Sequence, residues 1–267
     1  MFFEKNIQTT FRGYPSITAE VNEILAQSGV TEGFCIVSVP HTTASLVITS
    51  FWDPRGLDDL LDEIDRNIPT RVSYKHQDSP YDASGHVKSA IIGNKKTLLI
   101  KDGKLVLGSS QGLVFLEFDG PRLRQFQVQI IEKPLKMFKY NISTEFMGMH
   151  DITESIVRSV SESGIKNGVC HISMLHSTAG LTVTHSLPEI QKDVMQDIER
   201  MVPTRVDFKH RETASDAGGH VKTAIIDSQV SIAIEDGKAV IGKNQAVVFA
   251  EFDGPRPRSY YIGIFES

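Results

Sequence analysis

The spacing of hydrophobic residues predicts strands and helices in a fixed order along the first half of the chain. Short apolar or alternating runs predict strands over residues 4–11, 33–39, 46–49, 97–101, 104–108, 112–118 and 125–132. Apolar residues at helical spacing predict a helix that Gly29 ends and a second helix between Asp53 and Pro69. The acids of the second helix fall mostly opposite its apolar face and are interpreted as a solvated surface: Asp58, Asp59, Asp62 and Glu63.

The second half of the chain repeats this order. Gly85–Ile92 reads Gly-His-Val-Lys-Ser-Ala-Ile-Ile, and Gly219–Ile226 repeats it with Thr in place of Ser. Glu117–Arg122 returns unchanged as Glu251–Arg256. This repeat predicts two similar domains, over residues 1–133 and 136–267, joined by a short linker at 133–136. Each domain is predicted to be α+β, with a largely antiparallel sheet or sandwich and two to three helices.

Composition excludes several classes of protein. The chain has 267 residues and a formal net charge of -5, which argues against a dedicated nucleic-acid binder. It contains neither an apolar run long enough to span a membrane nor a secretory signal, so we expect a cytoplasmic protein that does not bind membranes. Cys35 and Cys170 occupy equivalent places in two predicted strands, and we expect both to be buried core thiols.

Histidines provide the first candidate chemistry. Six of the nine occur at matched positions of the two repeats, where we expect strand ends or loops: His41, His76, His86, His176, His210 and His220. Three imidazoles from separate elements form a common ligand set for zinc and related ions, and an open fourth position is typical of a catalytic site. Capping, packing and simple solvation are the alternative roles for these side chains.

Basic residues recur beside the histidines. Lys88 and Arg122 in the first repeat correspond to Lys222 and Arg256 in the second. Together with His86 and His220, they are candidate catalytic groups, because such cations bind phosphate oxygens or stabilise a departing pyrophosphate. The acids of the Glu117–Arg122 segment are candidate ligands or bases, although its Asp-Gly-Pro sequence is also typical of a turn.

Three ordered motifs resemble the YjbQ-like family, also described as secondary thiamine-phosphate synthases. They are His-Thr-Thr-Ala-Ser-Leu at 41–46, Gly-His-Val-Lys-Ser-Ala-Ile-Ile-Gly at 85–93 and Leu-Gly-Ser-Ser-Gln-Gly-Leu-Val-Phe-Leu-Glu-Phe-Asp-Gly-Pro-Arg at 107–122. The resemblance covers nearly the whole of each repeat. It implies a β-rich α+β fold and a homo-oligomer, either a trimer or a pseudo-hexameric arrangement of domains.

The resemblance also implies a reaction. Thiamine-phosphate synthases join a pyrimidine pyrophosphate to a thiazole phosphate and release pyrophosphate, so the expected partner is a phosphorylated small molecule. The six matched histidines carry over as the family's histidines, with a divalent metal, zinc or magnesium, as the cofactor that the resemblance suggests.

Departures from the family pattern favour a second interpretation. Thr49-Ser50 and Thr184-His185 stand where the family usually has Asn-Glu. Ser109-Ser110 and Lys243-Asn244 stand where the family has Thr-Trp. The alternative is therefore a non-catalytic oligomer of the same fold that binds a metal or phosphate. A third interpretation is a scaffold whose histidines serve packing.

Overall fold

A computed structural model describes every residue except Val72, Gln77 and Val206. The chain forms two compact units. The first unit comprises Met1–Leu105, Ser110–Glu132 and Phe208–His210. The second unit comprises Val106–Ser109, Lys133–Asp207 and Arg211–Ser267.

Elements of the first repeat follow the order that the sequence predicts, except that a further helix lies between the second helix and the fourth strand. The strands are β1 (Phe2–Gln8), β2 (Gly33–Ser38), β3 (Ala44–Ser50), β4 (Lys95–Lys101), β5 (Lys104–Leu105), β6 (Gln111–Glu117) and β7 (Leu123–Glu132). The helices are α1 (Thr18–Ser28), α2 (Pro54–Asn67) and α3 (Asp82–Ile92). Asp53 caps α2 by accepting a hydrogen bond from the Arg55 N–H, and Pro54 takes the first helical position, where its missing N–H costs nothing.

The second repeat has the same elements and one additional short strand. Its strands are β8 (Lys136–Ser143), β9 (Met149–Asp151), β10 (Gly168–Met174), β11 (Ala179–His185), β12 (Gln229–Glu235), β13 (Lys238–Ala239), β14 (Gln245–Glu251) and β15 (Pro257–Glu266). Its helices are α4 (Thr153–Ser163), α5 (Pro188–Met201) and α6 (Asp216–Ile226).

Antiparallel pairing organises both units. Within the described residues, the first unit has a five-stranded sheet in the order β1-β7-β2-β4-β5 and a β3-β6 pair. The second unit has the matching sheet β13-β12-β10-β15-β8 and a smaller sheet β11-β14-β9. Buried aliphatic and aromatic side chains from the larger sheet, the smaller sheet and α4 form the core of the second unit. These features confirm the α+β prediction with two similar β-rich units.

The repeated Gly-His-Val-Lys segment is helical. The sequence predicts that His86 and His220 lie at strand ends or in loops, and this is wrong, because both lie in the first half of a helix, α3 or α6. A short apolar run after glycines is compatible with a strand or a helix, so periodicity could not decide between them. In the first unit, Ser89 fixes α3 to β3 by donating its hydroxyl to the Ala44 carbonyl at 2.7 Å.

Two acids of α2 are buried, contrary to the predicted solvated surface. Asp59 is 4% exposed and Glu63 is 1% exposed. Asp59 accepts backbone N–H bonds from Lys209 and His210, and Glu63 pairs with Arg66. Hydrogen bonding thus compensates the desolvation of these carboxylates, which a helical-wheel argument cannot detect.

Both cysteines are buried free thiols, as predicted. Burial raises the pKa of Cys35 and of Cys170 to about 12, so neither offers a thiolate at neutral pH. Among the described residues, no helix is both long enough and apolar enough to cross a membrane.

Candidate functional site

Three side chains of the first unit converge on one point. His76, Asp82 and His86 each offer a ligand atom, and these atoms all lie within 4.8 Å of one another. The two imidazole rings have centroids 5.5 Å apart. His76 is more than half exposed whereas Asp82 is buried, so the cluster has a buried base and a solvent-facing side.

Helix geometry places two members of this cluster together. Asp82 is the first residue of α3 and His86 follows four positions later, so both side chains lie on one face of the helix. His76 comes from the loop before α3, and its Nε2 lies 2.8 Å from Asp82 Oδ2. The carboxylate of Asp78 is 3.6 Å from the same nitrogen and is largely exposed.

The tautomer of His86 suits metal ligation. Its Nδ1 lies 3.1 Å from the Thr42 carbonyl oxygen. A carbonyl only accepts hydrogen bonds, so Nδ1 must carry the proton in this contact and the lone pair of the neutral ring remains on Nε2. A backbone carbonyl that fixes the second ring nitrogen is the usual support of a histidine ligand.

Asp82 is held in its charged form. Burial alone would raise its pKa, but backbone N–H groups of Ser79, Ala83 and Asp78, together with nearby His76, outweigh that effect and lower it. The Ala83 N–H donates to Oδ1 at 2.7 Å, and the Asp78 N–H donates to Oδ2 at 3.2 Å. The site thus keeps a carboxylate beside two imidazoles.

Asp119 anchors the loop that carries His76. Its Oδ1 accepts from the Ser79 hydroxyl at 2.6 Å, and its Oδ2 accepts from Arg122 at 2.5 Å. Arg122 also donates to the Asp119 backbone carbonyl at 2.7 Å. Asp119 is therefore neither a ligand in this cluster nor a simple turn residue, because it holds the loop three residues beyond His76.

His41 is directed away from the cluster. Its Nε2 accepts the Gln125 backbone N–H at 2.9 Å, which uses the lone pair that a metal would need. Burial lowers its pKa, with a further contribution from Arg124, so the ring is neutral at pH 7. The adjoining Thr43 hydroxyl accepts from Arg124 at 2.7 Å. The contact of the His-Thr-Thr motif with the cluster is the Thr42 backbone carbonyl, which holds His86.

Asp82 is the site residue that the sequence analysis missed. A signal existed, because Asp216 precedes His220 by the same four positions in the second repeat. The reason for missing it is the strand-or-loop prediction for this segment, since four-residue spacing places side chains together only on a helix.

Lys88 lies two residues beyond His86 but faces another partner. It is 3% exposed, and its Nζ lies 2.5 Å from Asp65 Oδ1 of α2. Lys222 is fully buried in the same way, 2.6 Å from Glu199 Oε2 and 3.2 Å from the Thr204 hydroxyl. Both ammonium groups are thus neutralised by a carboxylate of the preceding long helix.

Comparisons with known proteins agree with this duplicated arrangement. The family model described as "UPF0047 protein YjbQ-like" matches residues 4–133 and again residues 138–267. The chain belongs to the YjbQ-like UPF0047 family. UPF0047 protein MJ1081 of Methanocaldococcus jannaschii is 38% identical over 130 residues, which cover 48% of this chain and 93% of that protein. YugU of Bacillus subtilis is 34% identical over 116 residues, or 43% of this chain and 86% of that protein.

A solved YjbQ/UPF0047 structure from Clostridium acetobutylicum is also similar. It is 36% identical, covers 48% of this chain and 99% of its own, and has a TM-score of 0.46. The family model matches the chain twice, and each match is about as long as the relatives from Methanocaldococcus jannaschii and Bacillus subtilis, so this chain carries the family's unit twice.

Several contacts of the first repeat recur in the second YjbQ-like repeat. His220 is buried and its Nδ1 lies 2.9 Å from the Ser177 carbonyl, as for His86. His176 accepts the Ser259 N–H at 2.8 Å, as His41 accepts that of Gln125. Arg256 is bound to Asp253, whose Oδ1 accepts the hydroxyls of Thr213 and Ser215.

His210 differs most from its counterpart. It belongs to the Phe208–His210 segment of the first unit, where it is 4% exposed. Its Nδ1 lies 2.6 Å from Asp53 Oδ2, and hydrogen bonds from Arg55 and His210 lower the pKa of that carboxylate. His76 and His210 each contact a carboxylate, but His76 is more than half exposed whereas His210 is buried.

Proposed function

We propose that His76, Asp82 and His86 bind a divalent transition metal and that the first unit acts there on a phosphorylated small molecule. The observation that supports this proposal is the convergence of two imidazoles and one charged carboxylate within 4.8 Å. Two histidines and one carboxylate form a recurring three-ligand set that leaves coordination positions open.

The donor set fits zinc better than magnesium. Imidazole nitrogens suit zinc and its neighbours, whereas magnesium prefers oxygen ligands in an octahedron. His76 Nε2 and Asp82 Oδ2 are 2.8 Å apart and all three ligand atoms lie within 4.8 Å of one another, so zinc binding would need only small movements of these side chains. The cation would take the place of the proton that now joins these two groups.

A bound cation would supply a Lewis-acid contact for a phosphate oxygen. The residues of the chain then have defined tasks. The Thr42 carbonyl orients His86, the backbone N–H groups keep Asp82 charged, and Asp119 restrains the loop of His76. Lys88 and Arg122 are each bound to a carboxylate, so we assign phosphate recognition chiefly to the metal.

For the reaction, we propose the family-type transfer that the motifs suggest, the joining of a pyrimidine pyrophosphate to a thiazole phosphate. The second candidate is a metal-binding protein without turnover. The neutralised Lys88 and Arg122, together with Thr49-Ser50 in place of Asn-Glu, favour that candidate. Assembly into a homo-oligomer and a cytoplasmic location stay predictions.

Zinc titration tests the proposed metal site. We expect His86→Ala and Asp82→Asn to weaken zinc binding by more than about 10-fold, because each removes a ligand. His41→Gln is the matched control, since His41 lies outside the cluster, and it should retain wild-type affinity. Isothermal titration calorimetry with zinc at pH 7 measures the change. Unaltered zinc affinity in a His76→Ala/His86→Ala variant would overturn the metal site.

Product formation decides between catalysis and binding alone. Purified zinc-loaded protein is incubated with the two precursors, and thiamine phosphate is measured by chromatography. Product that disappears in Asp82→Asn and persists in His41→Gln supports the transferase. Zinc binding that depends on the cluster, without product above background, supports the non-catalytic metal-binding protein.

A further inference from the structure

A groove between a loop and a long helix differs chemically between the two units. In the second unit, residues 145–150 and α5 line a pocket of about 700 Å³. In the first unit, the corresponding pocket of about 680 Å³ is lined by residues 8–15, and Asp58 is its single lining residue from α2. The second pocket thus extends along the helix, whereas the first does not.

Ion pairs explain why the first groove is closed along its helix. Arg12 Nη2 lies 2.7 Å from Asp62 Oδ1, and Arg12 Nε lies 3.1 Å from Asp65 Oδ2. Tyr14 adds a third link by donating its hydroxyl to Asp58 Oδ1 at 2.9 Å. These contacts join the loop to three successive turns of α2.

The second repeat has lost most of this set. When the two repeats are aligned, Met147 occupies the position of Arg12 and Met149 that of Tyr14. On the helix, Lys192 occupies the position of Asp58 and Gln196 that of Asp62. No loop cation remains to pair with the helix at these positions. The seam between loop and helix is therefore open, and seven residues of α5 line the pocket: Pro188, Gln191, Lys192, Met195, Gln196, Glu199 and Arg200.

The lining of the open pocket indicates its ligand. Phe146, Met147, Met149 and Met195 supply an aromatic ring and three flexible thioethers, which favour contact with aromatic rings. Met195 is buried, and Met147 and Met149 pack on the same small core, so the floor is apolar. The volume lies within the usual range for sites of small organic molecules.

The charges around the pocket do not favour an ionic ligand of either sign. Two acids and two permanent cations line the pocket, and burial lowers the pKa of the third basic residue, His150, so the walls carry no net charge at neutral pH. Glu199 is bound by Lys222, and Arg200 is bound by Asp197. Only Lys192 and Glu145, one of each sign, then remain, and they give no preference for an anion or a cation.

We propose that this pocket of the second unit binds an uncharged aromatic small molecule. The site uses none of the residues of the proposed metal cluster and is independent of the proposed function. Polar side chains of its lining, His150, Gln191 and Gln196, supply hydrogen-bonding groups for a heteroatom of such a ligand.

The first unit provides the design of the test. The double variant Met147→Arg/Gln196→Asp introduces into the second unit an ion pair equivalent to that of Arg12 and Asp62. The position equivalent to Asp65 needs no change, because Glu199 already supplies a carboxylate there. The probe is N-phenyl-1-naphthylamine, an uncharged aromatic amine whose fluorescence rises in apolar surroundings. We expect saturable binding to the wild-type chain and at least about 10-fold weaker binding to the double variant. Met201→Arg, on the same helix but outside the pocket, is the control and should bind as the wild type does.

Methionine-methyl NMR gives a readout that needs no variant. The chain has seven methionines. Titration of the wild-type protein with the same probe should shift the methyl signals of Met147, Met149 and Met195 and leave Met174 unchanged, because Met174 is buried outside the pocket. Absence of saturable binding, unchanged binding in the double variant, or shifts confined to other methionines would each overturn the proposal.

Discussion

The two units share a buried ionic network but differ in the groove beside it. In the first unit, Arg124 Nη2 lies 2.6 Å from Glu117 Oε1, and the Thr9 hydroxyl donates to Oε2 of the same acid at 2.8 Å. In the second, Arg258 Nη2 lies 2.5 Å from Glu251 Oε1. Both glutamates have no exposed surface.

Burial explains why one feature is shared and the other is not. A buried charge that loses its partner leaves a desolvated ion, so every member of the network depends on the others. An ion pair in a half-exposed groove can be lost at little cost, because water replaces the missing partner. Duplicated units can therefore diverge in their grooves while the same polar core persists.

Removing the buried acid is the strongest test of this comparison. Glu117→Ala leaves Arg124, which is 7% exposed, without its carboxylate. We expect a loss of about 3–5 kcal/mol in the free energy of unfolding, as for other broken buried pairs. Glu251→Ala should cost a similar amount, because the two networks match contact for contact.

Urea unfolding at pH 7, followed by far-UV circular dichroism, measures both losses, with two transitions fitted where the units unfold separately. Exposed Glu23→Ala is the control and should change stability by less than about 0.5 kcal/mol. A loss below about 1 kcal/mol in either variant would contradict the view that the shared network is essential to each unit.

The sequence predicted the elements of the fold well because their signals are local. Amphipathic spacing and an N-terminal Pro54 marked α2, and short apolar runs marked the paired strands. The repeat itself predicted that two similar units exist. These features depend on residues that are near one another in the chain.

The candidate site was predicted only in part. His76 and His86 do meet, but Asp82 completes their cluster, and His41 instead accepts a backbone N–H. Pairing over long sequence distances decides such contacts. The bond between Lys88 and Asp65 depends on how α3 packs near α2, which no local pattern of residues 82–92 reveals.

A second test compares the partly buried histidines that follow β2 and β10, His41 and His176. Burial, aided by Arg258, lowers the pKa of His176 to about 4, and burial also lowers that of His41. The folded protein therefore resists protonation that the unfolded chain accepts near pH 6.5. This stabilising effect is complete above that pH and is lost as pH falls towards 4.

Glutamine keeps a hydrogen-bond acceptor for the backbone N–H but does not titrate. The wild type should lose stability between pH 7 and pH 4.5, and we expect this loss to be about 2 kcal/mol smaller in His176→Gln. This value allows for partial solvent screening of His176. His41→Gln should act in the same direction. Urea unfolding at four pH values tests this, and NMR titration of His176 checks the cause. An unchanged pH profile in His176→Gln would contradict the assignment.

The smallest expected effect concerns the groove in which the units differ. The side chains of Arg12, Asp62 and Asp65 are 36%, 45% and 38% exposed, so solvent screens their pairing. We expect Arg12→Met, which introduces the residue of the second unit, to cost about 0.5–1 kcal/mol at low salt. The cost should shrink in 0.5 M NaCl, where the screening length is only a few ångströms. A loss above about 2 kcal/mol that does not depend on salt would contradict this expectation. It would show that Arg12 is essential to the stability of the first unit, and that other contacts of the second unit compensate for the missing ion pairs.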